Sequence, residues 1–259
     1  DERLGLRLGE AGNRMFDPDE EATEWIRYEY EKEEYKEHIR RLYEQREVRK
    51  APLDALRRMS ASGEHPHIDV RNPERVMDVI IWAHDLAKLA DGWQWACGDP
   101  HPPLAHGGRI EGRKPSSHAA ESALAASVPL AKLLQANGEC RDTCAQAIAA
   151  IRTHHSPGTT SVREYKINQS RQEYLRSITP ELHKALADKI AAVWRDFKWK
   201  GSSQESPVWP DRDASSESTL IRALLVYMLR RSDQLATSEV SRERKIDGEP
   251  TMTGVSNIL

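Results

Sequence analysis

A strongly apolar segment from Glu74 to Leu89 constrains the fold of this chain most. It contains the uninterrupted run Val79-Ile80-Ile81-Trp82-Ala83, in surroundings that are compatible with helix. Other elements must cover such a helix, and we therefore place it at the centre of the core. The run ends on the polar pair His84-Asp85, which we expect in the last turns of the helix.

Helical patterns dominate the rest of the sequence as well. Capping residues, Pro–acidic starts and apolar spacings of three and four predict helices over 21–49, 51–60, 116–136, 142–154, 163–178, 179–199 and 217–238. Residues 92–114 form a glycine- and proline-rich connection that is long for a structureless loop, and such connections are often functional. We find neither a convincing strand pattern nor an internal repeat, so the predicted class is all-α.

Composition narrows the range of functions. The 259 residues suffice for one large domain or two small ones. A formal net charge of −3 means that binding to nucleic acid would need a local basic patch or bound metal ions. Three cysteines without a CxxC pair argue against a disulfide framework or a zinc ribbon and favour a reducing compartment. No run reaches the ~18–20 apolar residues of a membrane span, so we expect no membrane partner.

Imidazoles and carboxylates recur at wide intervals along the predicted helices. They are His38, His84-Asp85, His118, His154-His155 and Asp233. Deprotonated carboxylates and neutral imidazoles are the ligands of transition-metal sites, and helix ends present them best to a shared cavity. Adjacent helical residues point about 100° apart, so His84 and Asp85 suit two neighbouring ions better than one, with Asp85 able to bridge them.

The order His, His-Asp, His, His-His, Asp resembles the HD superfamily of metal-dependent phosphohydrolases. More narrowly, it looks like the HD nuclease domain of the CRISPR-associated helicase-nuclease of type I systems. The local features that carry the narrower resemblance are His84-Asp85-Leu86-Ala87-Lys88 with Trp93-Gln94 after it, His154-His155 followed by Ser156, and Arg231-Ser232-Asp233-Gln234-Leu235-Ala236-Thr237-Ser238. Ala87 departs from the family's glycine at that position, although both residues are small.

The resemblance implies an HD-domain helical bundle with a metal site at its centre. It assigns residues 35–240 to the nuclease domain. Residues 1–34 are then an N-terminal extension, which would be a linker if a further domain stood upstream, and residues 241–259 are a polar C-terminal tail.

Two metal sites follow from the same resemblance. Asp85, His118, His154 and His155 would hold one ion, and His38, His84 and Asp233 would hold the other, with Asp85 near both. Imidazole-rich sites favour Mn, Fe, Co or Ni, with Mg as a further option. Alternatives stay open at two positions. His38 lies on a charged helix and could be a solvated surface residue, with His65 and His67 as rivals, while Asp233 could pair with Arg230.

The implied activity is cleavage of single-stranded DNA phosphodiesters, as part of antiviral defence in the prokaryotic cytoplasm. A helicase domain or subunit would feed the strand, and a crRNA-guided surveillance complex would recruit the nuclease. The sequence contains no GxxxxGK[ST] motif, so the motor would lie on another chain or on a missing part of this one. Asp85 and Lys88 are the expected catalytic residues. Substrate contacts are expected from Lys88, Trp93, Arg230 and Arg231.

Other interpretations remain at this stage. An HD phosphohydrolase acting on nucleotides or cyclic nucleotides would use the same motifs in a closed pocket, and a degenerate HD domain would serve only as an interaction module. Lys88 either contacts the scissile phosphate or pairs with Asp85, and Trp93 either stacks on bases or anchors its loop. His101 and His106, in the long connection, are expected at the surface.

Overall fold

The computed structural model describes residues 32–62, 69–116, 118–155, 162–203 and 215–246. Helices dominate this part of the chain, which confirms the all-α class. The α-helices are α1 (Tyr35–Glu44), α2 (Arg46–Ser62), α3 (Pro73–Ala83), α4 (Asp91–Ala96), α5 (Ala119–Ala136), α6 (Arg141–Thr153), α7 (Gln169–Leu182), α8 (Lys184–Ala191) and α9 (Ser216–Ile246). Two short antiparallel strand pairs, which were not predicted, are β1 (Glu33–Glu34) with β2 (Leu104–His106) and β3 (Tyr165–Lys166) with β4 (Lys200–Gly201).

Helix α3 lies at the centre of the core, as its apolar sequence predicts. Every residue from Val79 to Ala83 is buried, and α1, α2, α5, α6 and α9 all pack on the helix. Asn72 caps its N-terminus by accepting a hydrogen bond from the backbone N–H of Arg75 at 2.9 Å. The indole N–H of the buried Trp82 donates to Thr179 Oγ1 at 3.1 Å and thereby ties α3 to α7.

The helix ends earlier than predicted. It stops at Ala83, where His84 is the C-cap residue, and the expected continuation to Leu89 is a separate 3-10 helix over Leu86–Leu89. Asp85 joins the two with φ −112° and ψ 13°, outside the helical region. This break leaves His84 and Asp85 at a turn, where their side chains can face a cavity that an unbroken helix would fill with its next turn.

Helices α5 and α6 form an antiparallel hairpin. Alanines such as Ala123 and Ala147 are fully buried, and small side chains let two helices pack closely. Gly138 adopts φ +87° in the connecting turn, a conformation that glycine reaches without strain. The start of α5 therefore lies beside the end of α6. The N-cap of α5 is His118 itself, so the helix begins three residues later than the predicted start at 116.

Helix α9 packs on α6, with a face that was predicted only in part. The apolar spacing of the sequence predicts a buried side with Leu220, Ala223, Leu224, Tyr227, Met228 and Leu235. Met228 is fully buried, but Leu220 and Tyr227 are 40% and 55% exposed. The buried stripe is Ile221, Leu225, Met228, Leu229, Ser232 and Ala236. Apolar residues occur on several sides of this helix, so its periodicity alone does not select one face. The helix also continues to Ile246, beyond the predicted start of the tail at 241; residues 247–259 lie outside the described part.

The predicted helix over 21–49 is two helices in the structure, separated at Gln45, and residues 1–31 lie outside the described part. Residues 33–34, which the sequence placed in an extension, pair with β2, and the backbone N–H of Tyr35 donates to the Pro103 carbonyl at 2.9 Å. The start of the described chain is thus fastened to the 92–114 connection, which itself contains α4 and β2.

The prediction around Pro180 is wrong. Helix α7 begins after the cap Asn168 and runs through Pro180 to Leu182, and α8 starts only at Lys184. Thr179 is therefore not a helix start. His183 caps α8 instead, because its Nδ1 accepts a hydrogen bond from the backbone N–H of Leu186 at 3.2 Å.

Within the described residues, no helix combines the length and the apolar character needed to cross a lipid bilayer.

Candidate metal centre

The structure brings the seven predicted ligands together at the middle of the bundle. They come from α1 (His38), the turn after α3 (His84 and Asp85), the start of α5 (His118), the end of α6 (His154 and His155) and α9 (Asp233). One ligand atom from each of Asp85, His118, His154 and His155 lies within 4.8 Å of the others, and we call these four the hairpin group. The same holds for His38, His84 and Asp233, which we call the α1–α9 group.

Asp85 faces both groups, one with each carboxylate oxygen. Its Oδ1 lies 3.3 Å from His118 Nε2 and 3.8 Å from His154 Nε2. Its Oδ2 lies 3.2 Å from His84 Nε2 and 3.2 Å from His38 Nε2. A carboxylate in this position can bridge two ions, which is the arrangement that the adjacent His84-Asp85 pair predicts.

His84 and His154 are oriented by the same kind of local hydrogen bond. Each caps the C-terminus of its helix, and each ring Nδ1 lies against the carbonyl three residues back, at 2.8 Å for Ile81 and 2.6 Å for Ile151. A carbonyl oxygen only accepts hydrogen bonds, so Nδ1 carries a proton, and Nε2 is the atom that can offer a lone pair to an ion. Both Nε2 atoms face Asp85 in the cluster. The last carbonyls of a helix have no partner inside it, which is why helix ends suit this role.

His38 is fully buried, which excludes the solvated surface role. It lies on the apolar stripe of α1 with Tyr35, Ile39 and Leu42. Its Nε2 is 3.2 Å from Asp85 Oδ2 and 3.3 Å from Asp233 Oδ1. His65 and His67, the rivals for this position, lie outside the described residues.

His118 and His155 meet at the other side of the cluster, where their Nε2 atoms are 2.7 Å apart. The ring of Trp93 packs edge-on against His118, with 4.9 Å between ring centroids. Trp93 is only 6% exposed, so it anchors the loop against the centre. A role in stacking on bases remains a prediction.

The backbone that follows Asp85 is held by α5. The hydroxyl of the buried Ser122 accepts a hydrogen bond from the backbone N–H of Ala87 at 2.9 Å. Lys88 is also buried, and its Nζ lies 2.7 Å from Asp85 Oδ2 and 3.2 Å from His106 Nε2. Lys88 is thus paired with Asp85, and its contact with a substrate phosphate stays a prediction.

The predicted arginines lie at the exposed side of α9. Arg230 donates from Nη2 to the His155 carbonyl at 3.2 Å and so borders the cluster. Asp233 contacts His38 across the bundle, so the ion pair between Asp233 and Arg230 that the sequence left open does not form. Substrate binding by Arg230 and Arg231 stays a prediction.

The pKa values of the imidazoles are shifted in opposite directions in the hairpin group and at His38. Burial, followed by the neighbouring His155, lowers the pKa of His118 and likewise that of His154 well below the usual value, and burial also lowers the pKa of His155. Burial opposes the charge on His38 too, but its contacts with Asp233, Asp85 and Glu33 outweigh burial and raise its pKa to about 10. Without an ion, the three imidazoles of the hairpin group are neutral, and His38 is protonated.

The two carboxyl groups are held in their charged form. Burial would raise the pKa of Asp85, but His84, Lys88 and His38 keep that pKa well below its usual value. Burial acts on Asp233 in the same direction, and His38 together with Lys88 keeps the pKa of this carboxyl well below its usual value. Charged carboxylates are the form that binds metal ions.

Unsatisfied polar atoms test whether this cluster fits metal ions. Among the seven residues of the two groups, six buried side-chain atoms make no hydrogen bond within the described part of the chain: Nε2 of His38, His84 and His154, both carboxylate oxygens of Asp85, and Oδ1 of Asp233. Lys88 forms an ion pair with Asp85 Oδ2, but not with hydrogen-bond geometry. Buried polar atoms are normally satisfied, and these are all metal-ligand atoms directed at each other. The residues present fit a metal ion, which they could hold.

Two residues that lie beside the cluster were not predicted from the sequence. His106, expected at the surface, lies against Lys88, and its ring centroid is 4.5 Å from that of His38. Burial, followed by the charge of Lys88, lowers the pKa of His106 well below the usual value. Glu33 bonds to His38 Nδ1 at 3.1 Å. Glu33 falls inside the predicted helix over 21–49 and His106 in the long connection, and it is the β1–β2 pairing that brings both residues here.

Comparison with family models, with curated proteins and with solved structures yields no match for this chain.

Proposed function

We propose that this chain is a metal-dependent phosphodiesterase of the HD type that cleaves single-stranded DNA. The observation that carries the proposal is the position of Asp85, whose two oxygens face two separate sets of ligand atoms. Paired divalent ions in such a centre activate a water molecule and offset the charge that develops on a phosphodiester during hydrolysis. The order and spacing of the motifs support the HD assignment.

The chain's own residues contribute orientation and charge. Asp85 faces both groups, and Ser122 fixes the backbone just after it by accepting from the N–H of Ala87. The Lys88 ammonium stands beside Asp85 Oδ2, where it would counter the negative charge of a bound phosphate. Arg230, next to His155, offers a second cation at the exposed side of the cluster.

The surface beside the centre supports a single-stranded substrate. The guanidinium of Arg109 lies 5.9 Å from the ring centroid of Trp93, which itself packs on His118. Trp95 is 49% exposed, and the guanidinium of Arg113 lies 4.6 Å from its ring centroid. Exposed aromatic rings beside cations bind unpaired bases and the phosphate backbone of single strands. This local basic patch offsets the overall negative charge of the chain.

The nuclease would work with a helicase domain or subunit that feeds the strand. By the same resemblance, a crRNA-guided surveillance complex in the prokaryotic cytoplasm would recruit it for antiviral defence. Both partners belong to the proposal through the motif resemblance alone.

A nucleotide or cyclic-nucleotide phosphohydrolase would need an enclosed pocket at the cluster. Two surface cavities among the described residues, of about 510 and 450 Å³, are lined by residues outside the cluster, among them Tyr165 and Lys200 in one and Tyr43 and His183 in the other. An interaction module without metal would leave Nε2 of His84, Nε2 of His154 and Oδ1 of Asp85 buried without a hydrogen bond. We favour the nuclease because these atoms face a common centre and because the exposed Trp95 ring beside Arg113 suits a single strand.

The deciding experiment is cleavage of a single-stranded DNA oligomer by the full chain, with Mn²⁺, Co²⁺, Ni²⁺ or Mg²⁺ added after chelation. We expect cleavage with at least one transition ion and none with chelator. Asp85→Ala and the isosteric Asp85→Asn should reduce cleavage below detection, because both ion positions lose their shared ligand. Asp54→Ala is the matched control, since the Asp54 side chain is 42% exposed and pairs with Arg57 within α2.

Retained cleavage in a folded Asp85→Asn variant would contradict the assignment. Hydrolysis of deoxynucleoside triphosphates or cyclic dinucleotides, with no action on DNA, would favour the phosphohydrolase. An absence of bound metal after reconstitution would favour the interaction module.

A further inference from the structure

Glu33 is a buried carboxylate beside the metal centre that the proposed hydrolysis does not use. It is only 4% exposed, and its Oε2 lies 3.1 Å from Nδ1 of His38. It faces the side of the imidazole ring opposite to Asp85 and Asp233, which both lie near Nε2. Burying a carboxylate is costly unless it is well partnered, so its presence here calls for a specific role.

The strand pair β1–β2 fixes where this carboxylate lies. Glu33 is the register partner of His106, and the next hydrogen bond joins the N–H of Tyr35 to the Pro103 carbonyl. On its other side, Glu33 Oε1 is 3.5 Å from Nε of Arg41. The backbone and the side chain of Glu33 are thus both held before any ion binds.

His38 needs an external partner because of its place in α1. His84 and His154 bond to carbonyls at the ends of their helices, where those carbonyls are free of intrahelical bonds. His38 is the fourth residue of a ten-residue helix, and the carbonyls around it are used by the helix itself. A carboxylate from another element is therefore what can hold the proton on Nδ1 and leave the Nε2 lone pair for an ion.

We infer that Glu33 is a positioning residue, which orients His38 and fixes its tautomer so that Nε2 serves the α1–α9 group. The inference rests on the proposed metal centre. Glu33, His38 and His106 also lie close enough together to form a third ion site. A neutral imidazole has a single lone pair, however, so His38 cannot ligate at Nε2 and at Nδ1 together. With His38 directed at Asp85 and Asp233, Glu33 acts through His38 and not as a ligand.

The test is a titration of the metal-stripped full chain with Mn²⁺ or Co²⁺, comparing wild type with Glu33→Ala, Glu33→Gln and Glu34→Ala. Calorimetry gives the affinity for each equivalent, meaning each metal ion bound per chain, and the absorption spectrum of bound Co²⁺ reports its ligand field. Glu33→Ala should weaken one of the two equivalents by about 10–100-fold and leave the other unchanged. Glu33→Gln should lose less, because its amide oxygen still accepts from Nδ1–H. Glu34 is the exposed neighbour on the same strand, and its replacement should change neither equivalent.

A merely structural Glu33 would lower the melting temperature of the metal-free protein without changing the ratio of the two affinities. That result, or a Glu33→Ala variant that loses a third equivalent, would overturn the inference. If Glu33→Ala fails to fold, the Glu33→Gln variant provides the test. An affinity for the more weakly bound ion equal to that of the wild type would then overturn the inference. A wild type that binds two ions but cleaves no DNA would refute the proposed function and leave the inference standing, whereas a wild type with a single ion site would refute the inference.

Discussion

The hairpin group and the α1–α9 group face the two oxygens of one carboxylate, but they are built differently. Apart from Asp85, the hairpin group comes from two consecutive antiparallel helices, and His118 and His154 lie on the Oδ1 side of Asp85. The α1–α9 group joins helices from opposite ends of the described chain. Three carboxylates surround His38 there, namely Asp85, Asp233 and Glu33.

This difference sets the protonation of the two halves before an ion arrives. Burial keeps the hairpin imidazoles neutral and ready to bind, because their pKa values lie below the usual value. The carboxylates around His38 raise its pKa to about 10, so an ion in the α1–α9 group must displace a proton. The two halves of one centre should therefore fill in order, with the hairpin group first.

Removing one ligand from each group in turn should give the largest difference in ion binding between the two groups. We expect His118→Ala to lose the tighter ion and His38→Ala to lose only the weaker one, because each variant removes a ligand from one group and leaves Asp85 in place. Elemental analysis after reconstitution, together with calorimetry, measures both. If the two variants lose the same equivalent, the division into two groups is wrong.

Replacing Lys88 should affect ion binding in the two groups unequally, because its ammonium lies at Oδ2, on the α1–α9 side of Asp85. Lys88→Met should change the affinity of the weaker ion and leave the tighter one unchanged. In the metal-free protein, it should also lower the free energy of unfolding by about 3 kcal/mol, because a buried ion pair is broken.

The exposed pair between Lys132 and Asp196 provides the control for Lys88. Lys132→Met should lower the free energy of unfolding by about 0–1 kcal/mol. Chemical denaturation of both variants gives this comparison. Equal losses for the buried and exposed pairs would contradict the role assigned to Lys88.

The ion affinities of the two groups should depend differently on pH, by about tenfold per pH unit. A proton competes with the ion for His38, whose pKa is about 10, so the apparent affinity of the weaker ion should rise about tenfold per unit between pH 6.5 and 8. The tighter ion should show no such rise, because the pKa values of His118 and His154 lie below this window.

Calorimetry in buffers of different ionisation enthalpy counts the protons released on binding. About one proton should leave with the weaker ion and none with the tighter one. Release of a proton with the first ion only would reverse the assignment of the two halves.

The sequence predicts the parts of the centre that depend on local patterns. The apolar run before His84 indicates the central helix, and the turn signals after His154 indicate the end of α6. Both histidines then owe their orientation to carbonyls three residues back, a short-range contact. The order of the motifs identified seven residues that the structure brings together, and their role as metal ligands stays a prediction.

Contacts between distant segments could not be predicted in this way. Glu33 and His106 reach the centre through strands of two and three residues, which are too short to leave an alternating pattern. The buried face of α9 was predicted wrongly because apolar residues lie on several sides of the helix, and packing on α6 decides between them. Asp233 was identified from its motif, and its contact with His38 depends on that packing.

The central claim is that Asp85 bridges two ions. The most direct test is a crystal structure of the protein loaded with Mn²⁺, with anomalous diffraction to locate the metal. The account predicts two anomalous peaks about 3.5–4 Å apart, one between Asp85, His118 and His154, the other between Asp85, His38 and Asp233. A single peak, or peaks away from Asp85, would contradict it.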